Sequence, residues 1–77
     1  MTSSGTTLQQ AIELGKRAVL LDQEGKHEGA AYFYEQAAVA LEEIVATNSI
    51  AQSATLTVKA NEYKQRATSL RNLCKLT

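Results

Sequence analysis

The amino-acid sequence predicts an all-α fold, an up-down-up antiparallel bundle of three helices. The chain contains no proline and few runs of β-branched residues, and apolar side chains recur at helical spacing in three segments. Short polar segments separate the three, and helices joined by short turns lie antiparallel as neighbours. With 77 residues the chain makes one domain, which has a small core and no room for a deep cleft.

The first helix is predicted over residues 8–24, after a polar tail formed by residues 1–7. Thr7 and Gln10 have the spacing of a capping box, in which two side chains hydrogen-bond free amides at a helix start. Gly25 follows the last turn, where a left-handed cap favours glycine. The predicted core stripe of this helix consists of Ala11, Leu14, Ala18 and Leu21.

The second helix is predicted over 27–46 and the third over 50–74, the latter after a second capping box at Ser49 and Gln52. Alanines recur on the inner faces of both helices, and small residues at a contact let helix axes approach closely. The inner face of the second helix is Ala30, Tyr34, Ala37, Leu41 and Ile44. The inner stripe of the third is Leu56, Ala60, Tyr63, Ala67, Leu70 and Cys74.

Charge and hydropathy argue against two kinds of partner. Eight basic and eight acidic residues give a formal net charge of zero, whereas nucleic-acid binding is driven by neutralising phosphates. No apolar run approaches the roughly 18 residues of a membrane span, and the first residues lack the basic and apolar regions of a signal peptide. We therefore expect a soluble, cytoplasmic protein that binds no nucleic acid and does not insert into membranes.

The sequence offers no set of side chains for catalysis or metal binding. His27 and Cys74 are the single histidine and the single cysteine, so neither a metal cluster nor a nucleophile-base arrangement finds its partners. His27 is interpreted as a helix-start residue, and Cys74 as a small buried hydrophobe in preference to a nucleophile. We expect a domain without catalytic residues, metal or cofactor.

The hairpin over residues 25–43 is similar to half of a tetratricopeptide repeat, since small and aromatic residues fall on that repeat's positions. The 34-residue period would place Lys64, Thr68 and Arg71 where the first copy has alanine, tyrosine and alanine. The sequence therefore indicates one unrepeated bundle. A self-associating or tetratricopeptide-like structural bundle is kept as the alternative function.

Three motifs in order resemble the MIT (microtubule-interacting and trafficking) domain. The first helix has the spacing Ala-x-x-Leu-x-x-x-Ala-x-x-x-Asp at Ala11, Leu14, Ala18 and Asp22. The aromatic-alanine second helix is represented by Ala30, Tyr34, Ala37 and Leu41. The third helix has Tyr-x-x-Arg-Ala-x-x-Leu at Tyr63, Arg66, Ala67 and Leu70. The resemblance covers about 8–73, within a bundle expected over 8–75, and departs from the family at His27, where tyrosine is usual.

The resemblance implies a non-catalytic recruitment module. MIT domains bind short tail peptides of ESCRT-III subunits and bring an attached AAA ATPase, calpain-like protease, kinase or deubiquitinase to endosomal and other remodelled membranes. One class of peptide forms an amphipathic helix in the groove between helices 2 and 3. Another class lies extended between helices 1 and 3, and both modes place apolar anchors in a groove.

The groove between helices 1 and 3 is the favoured site, because a second apolar stripe lies beside the core stripe of helix 1. Its predicted residues are Leu8, Ile12, Gly15, Val19, Lys59 and Arg66. Ile12 and Val19 could equally widen the core contact, and Gly15 could form a pocket or simply weaken the helix. Arg66 has a second predicted role, an ion pair with Asp22.

The groove between helices 2 and 3 is less favoured. Its predicted residues are Val39, Lys64, Thr68 and Arg71. Lys64 and Thr68 stand where family members that bind helical peptides have leucine and an acidic residue. The predominantly basic third helix favours a peptide with acidic residues, although such charges also serve simply to solvate a surface. The isolated domain is expected to be monomeric, with a dimer seam on helix 1 as the alternative.

Overall fold

Three α-helices follow one another in the computed structural model, which describes residues 8–47 and 53–76. They are α1 (Leu8–Gln23), α2 (His27–Thr47) and α3 (Ser53–Leu76), and the described residues contain no strand. The predicted all-α class and three-helix bundle are confirmed.

The helix bounds differ slightly from the predicted ones. α1 ends at residue 23 instead of 24, α2 at 47 instead of 46, and α3 at 76 instead of 74. α3 continues because no glycine or proline follows Cys74 to stop it. Several predictions lie outside the described residues. They are the tail, the start of the third helix at residue 50, the capping-box residues Thr7, Ser49 and Gln52, and the side chain of Cys74.

The turn between α1 and α2 depends on glycine. Gly25 has a φ of 82°, the left-handed conformation that other residues rarely adopt. The Lys26 amide donates to the Leu21 carbonyl at 2.9 Å and the Gly25 amide to the Asp22 carbonyl at 3.0 Å. This is the Schellman pattern, which satisfies the last carbonyls of α1. The Lys26 carbonyl then accepts the Ala30 amide at 2.9 Å, so α2 begins directly after the turn.

The core is built mainly from alanine, and α2 lies at its centre. All five residues predicted for the inner face of α2 are buried. Ala31 and Ala38 are buried as well, because α2 packs against both α1 and α3 and so has two contact faces. One cluster of buried residues is Ala11, Ala38, Ala40, Leu41, Ile44 and Ala60. The other is Ala18, Ala30, Ala31, Tyr34, Ala67 and Leu70.

α1 and α3 are both held by α2, and they approach each other only locally. Small residues bring each outer helix close to α2, while Tyr34, Leu41 and Leu70 fill the space beside the alanines. A groove therefore remains between α1 and α3, with α2 beneath it. This groove is the feature of the fold that positions the candidate site.

Candidate functional site

The groove between α1 and α3 is a predominantly apolar depression of about 650 Å³. α1 forms one wall, α3 forms the other, and Leu41 of α2 lies at its floor. The α1 side consists of Leu8, Ala11, Ile12, Gly15, Lys16, Val19 and Leu20. The α3 side consists of Thr55, Leu56, Lys59 and Tyr63.

The apolar stripe on α1 belongs to the surface and not to the core. Leu8 and Val19 are each 39% exposed, and Ile12 is 46% exposed. Core residues of α1, such as Ala11 and Ala18, are almost completely buried. The alternative in which Ile12 and Val19 only widen the core contact therefore does not describe this structure.

The structure brings five of the six residues predicted for this groove together in its lining. They are Leu8, Ile12, Gly15, Val19 and Lys59. The sixth, Arg66, is engaged elsewhere. Its Nε donates to Asp22 Oδ2 and its Nη2 to Asp22 Oδ1, each at 2.7 Å.

The Asp22–Arg66 pair lies one turn beyond Val19 on α1 and joins the two walls of the groove. The Tyr34 hydroxyl also donates to Asp22 Oδ2, at 3.0 Å. Hydrogen bonding by Arg66 lowers the pKa of Asp22 despite the opposing effect of burial. Burial, followed by the hydrogen bond to Asp22, raises the pKa of Tyr34. The second role predicted for Arg66, an ion pair with Asp22, is thus present, and it is structural.

Gly15 does not leave an open pocket, because Tyr63 fills the space above it. A Cβ atom at residue 15 would lie 2.5 Å from the Tyr63 hydroxyl and 3.0 Å from its Cζ. The Tyr63 ring also packs against Tyr34, with centroids 5.6 Å apart. Glycine is therefore what allows α3 to place this ring against α1.

Tyr63 is a groove residue that the sequence pattern assigned to the core stripe of α3. It is half-buried and contacts both the core and the groove, since it packs on Tyr34 and lines the groove. The Nζ of Lys59 lies 5.8 Å from its ring centroid, within cation–π distance. The small residue at position 15, facing α3 across the groove, was the signal that could have identified it.

Of the residues predicted for the second groove, one lines a depression that faces α1. Val39 lines a more polar depression between α1 and α2, alongside Gln36 and Arg17. A helical period specifies the direction of a side chain around its own helix but not the neighbour it meets. Val39 lies one turn from Glu35 and one turn from Glu42, the two carboxylates that pair with α3, so it stands between the α1-facing and α3-facing sides of α2.

Ion pairs occupy the surface between α2 and α3. Arg71 donates from Nε and Nη2 to the two carboxylate oxygens of Glu35, each at 2.7 Å. This hydrogen bonding lowers the pKa of Glu35. Lys64 pairs with Glu42, and Thr68 is exposed one turn further along α3. Lys64, Arg66 and Arg71 thus each pair with a carboxylate of another helix, so much of the positive charge of α3 is already compensated.

Two further observations bear on the chemistry of the described residues. Nowhere in 8–47 and 53–76 do three His, Cys, Asp or Glu side chains come together as a metal site would require. None of the three helices is both long and apolar enough to cross a membrane.

Comparison with known proteins gives one match. The family model described as MIT (microtubule interacting and transport) domain matches residues 8–72. The matched range includes α1, α2 and most of α3, and with them every residue that lines the groove. No curated protein and no solved structure matches the chain.

Proposed function

The chain belongs to the MIT domain family, whose members are protein-interaction domains, and we propose that it docks a partner's tail peptide between α1 and α3. The observation that carries this proposal is the exposed apolar stripe of Leu8, Ile12 and Val19 facing Tyr63 across the groove. A contiguous apolar depression of this kind is typical of interaction sites. Covering each half-exposed aliphatic side chain contributes about 1 kcal/mol to binding.

The proposed ligands are the tails of ESCRT-III-type subunits, the peptides that the family resemblance implies. The domain would then recruit an attached enzyme to endosomal or other membranes under remodelling, from the cytoplasmic side. The domain contributes recruitment, and the catalysis would belong to another part of the full-length protein. The choice of ligand and the recruitment role rest on family membership. The groove supplies the surface on which such a peptide would dock.

The groove between α1 and α3 is favoured over the surface between α2 and α3 on energetic grounds. A peptide on α2 and α3 would have to displace or straddle the Arg71–Glu35 and Lys64–Glu42 pairs. Breaking a two-pronged arginine-carboxylate pair forfeits charge-assisted hydrogen bonds that the peptide must then replace. The groove between α1 and α3 requires no such exchange along its apolar stripe.

Self-association through the same groove is the alternative, and its charges oppose it. A two-fold contact would bring Lys16 and Lys59 of both copies into one interface. The lining residues that the structure describes include no carboxylate to pair with them. Like charges at an interface disfavour association, so a second copy is the poorer occupant.

The test is Val19→Asp, titrated against a panel of ESCRT-III tail peptides by NMR. A carboxylate in the apolar stripe should weaken binding at least about tenfold, because its desolvation opposes burial by the peptide. Val58→Asp is the matched control, since Val58 is 57% exposed and lies outside the groove lining. Both variants should retain the helicity of the parent in circular dichroism.

Two results would count against the groove assignment. In one, Val19→Asp binds every tail peptide as tightly as the parent does. In the other, Val58→Asp weakens binding as much as Val19→Asp, which would place the contact surface on the outer face of α3.

A further inference from the structure

The charged residues that line the groove between α1 and α3 are all of one sign. Two of its described lining residues are ionised, Lys16 on α1 and Lys59 on α3, and both are positive. The segments 1–7 and 48–52, which adjoin the helix ends at Leu8 and Ser53, contain no acidic residue. The apolar stripe is therefore bordered by one ammonium group on each wall.

These two lysines differ in their partners from three cations of α3 that lie outside the groove lining. Arg66, Arg71 and Lys64 each pair with a carboxylate of another helix. No carboxylate among the described residues lies within ion-pair distance of Lys16. Lys59 approaches Glu62 at 3.7 Å, with both side chains more than half exposed, which is a weak contact. Each wall of the groove thus carries a cation that no carboxylate of another described helix compensates.

We infer that Lys16 and Lys59 select an acidic partner, a peptide whose apolar anchors on the stripe are flanked by a carboxylate toward each wall. This inference rests on the proposed docking function and specifies its ligand. Lys16 lies one turn from both Ile12 and Leu20, and Lys59 lies one turn before Tyr63, so both ammonium groups border the anchoring surface. Carboxylates there would meet unsatisfied charge, whereas basic residues would meet repulsion.

Partial burial under a bound peptide strengthens this selection. An ammonium group beside apolar surface is less screened by water and salt than one that projects from an open helix face. The Lys59 ammonium group already lies 5.8 Å from the Tyr63 ring centroid, which limits the freedom that the side chain loses on pairing. The lysine pair thus contributes mainly to discrimination between peptides, while the apolar stripe contributes most of the affinity.

The probe is a pair of synthetic fluorescein-labelled peptides that carry the same aliphatic anchors. One has a glutamate on each side of the anchors and its twin has glutamine there, so the two differ in charge and hardly in shape. Fluorescence anisotropy should show that the parent domain binds the glutamate peptide more tightly, with a preference that falls as salt is added. Lys16→Glu and Lys59→Glu should each lower affinity for the glutamate peptide about three- to tenfold and leave the glutamine twin unaffected.

Lys75→Glu is the control, since it changes the net charge equally at an exposed position of α3 outside the groove lining. It should leave both affinities within about twofold of the parent. The inference is overturned if both lysine reversals bind the glutamate peptide like the parent, if Lys75→Glu weakens binding of that peptide as much, or if neither peptide binds.

Val19→Asp separates the charge-selection inference from the docking proposal. If it weakens both peptides while the lysine reversals change nothing, docking stands and charge selection falls. If it changes neither affinity, the groove itself is wrong.

Discussion

Asp22 organises the polar contacts just beyond the groove. Its carboxylate accepts two hydrogen bonds from Arg66 and one from Tyr34, so residues of all three helices meet on one side chain. The Asp22 side chain is only 14% exposed, whereas that of Arg66 is 47% exposed. Charge-assisted hydrogen bonds to a mostly buried acceptor contribute more than an ordinary surface pair.

The pKa of Asp22 predicts how this cluster responds to pH. Because it is lowered from its ordinary value of 3.8, the contribution to stability is complete above that pH and is lost as the pH falls through the folded-state value. The raised pKa of Tyr34 acts at the alkaline end of the pH range. Its contribution to stability is complete below pH 10.0 and is lost as the pH rises through the folded-state value. The cluster is therefore fully formed between these two limits.

Asp22→Asn should reduce the free energy of unfolding at neutral pH by about 1–2 kcal/mol, measured by urea denaturation. The difference between parent and variant should shrink as the pH is lowered below 4, because protonation removes the same charge from the parent. Glu13→Gln, an exposed change on the same helix, is the control and should be nearly neutral. A difference between parent and Asp22→Asn that stays constant down to pH 2 would contradict this account.

For individual residues, the sequence predicted the ion pair between Asp22 and Arg66 but not the contact between Tyr63 and Gly15. Asp22 and Arg66 hold motif positions on the two outer helices, which run parallel in an up-down-up bundle, so their pairing could be anticipated. The period of α3 places Tyr63 inward, yet it does not say that Gly15 lies opposite and makes room for the ring. Contacts of that kind depend on the relative rotation of two helices, which the spacing within either helix does not specify.

The helices themselves follow closely from local chemistry. Gly25 ends α1 through its left-handed cap, and alanine at the inner positions of α2 permits close packing on two sides. The burial of Ala31 and Ala38 was not predicted, because a single inner stripe was expected for α2. Alanine carries little periodic signal, since it is tolerated on exposed and buried faces alike.

Ala67→Arg should test the packing of α3 against its neighbours. Ala67 is 1% exposed, and a guanidinium group there would have to enter an alanine contact or separate two helices. We expect a loss of at least about 3 kcal/mol in unfolding free energy, enough to unfold much of so small a domain. Thermal denaturation followed by circular dichroism measures it.

The matched control is Ser69→Arg, two residues away on the exposed face of the same helix. It introduces the same side chain and charge, and it should melt within a few degrees of the parent. If Ala67→Arg and Ser69→Arg melted alike, α3 would have to be rotated about its axis relative to the arrangement described here.

For the whole molecule, the positions of the charges decide which cations a ligand can reach, and the formal net charge of zero does not. Pairs between helices compensate Arg66, Arg71 and Lys64, whereas Lys16 and Lys59, which border the groove, have no carboxylate partner on another described helix. The sequence predicted a basic third helix, but it could not show which cations already had partners. That distinction depends on side chains from separate helices meeting in space.

This distribution predicts that the isolated domain stays monomeric. Sedimentation equilibrium over a range of concentrations up to about 1 mM should fit the mass of one chain, 8.3 kDa, because weak self-contacts rarely populate dimers below that range. Concentration-dependent dimers that Val19→Asp abolishes would instead identify the groove as a seam between copies.

The packing order of the helices has a consequence for how the chain reaches its fold. Since α2 packs against both its sequence neighbours while α1 meets α3 only locally, most contacts join segments that are close along the chain. Such contacts form without closing long loops, which keeps the entropic barrier to assembly low. Either helical hairpin can form first and receive the remaining helix afterwards. The topology thus belongs with bundles that assemble within microseconds to milliseconds.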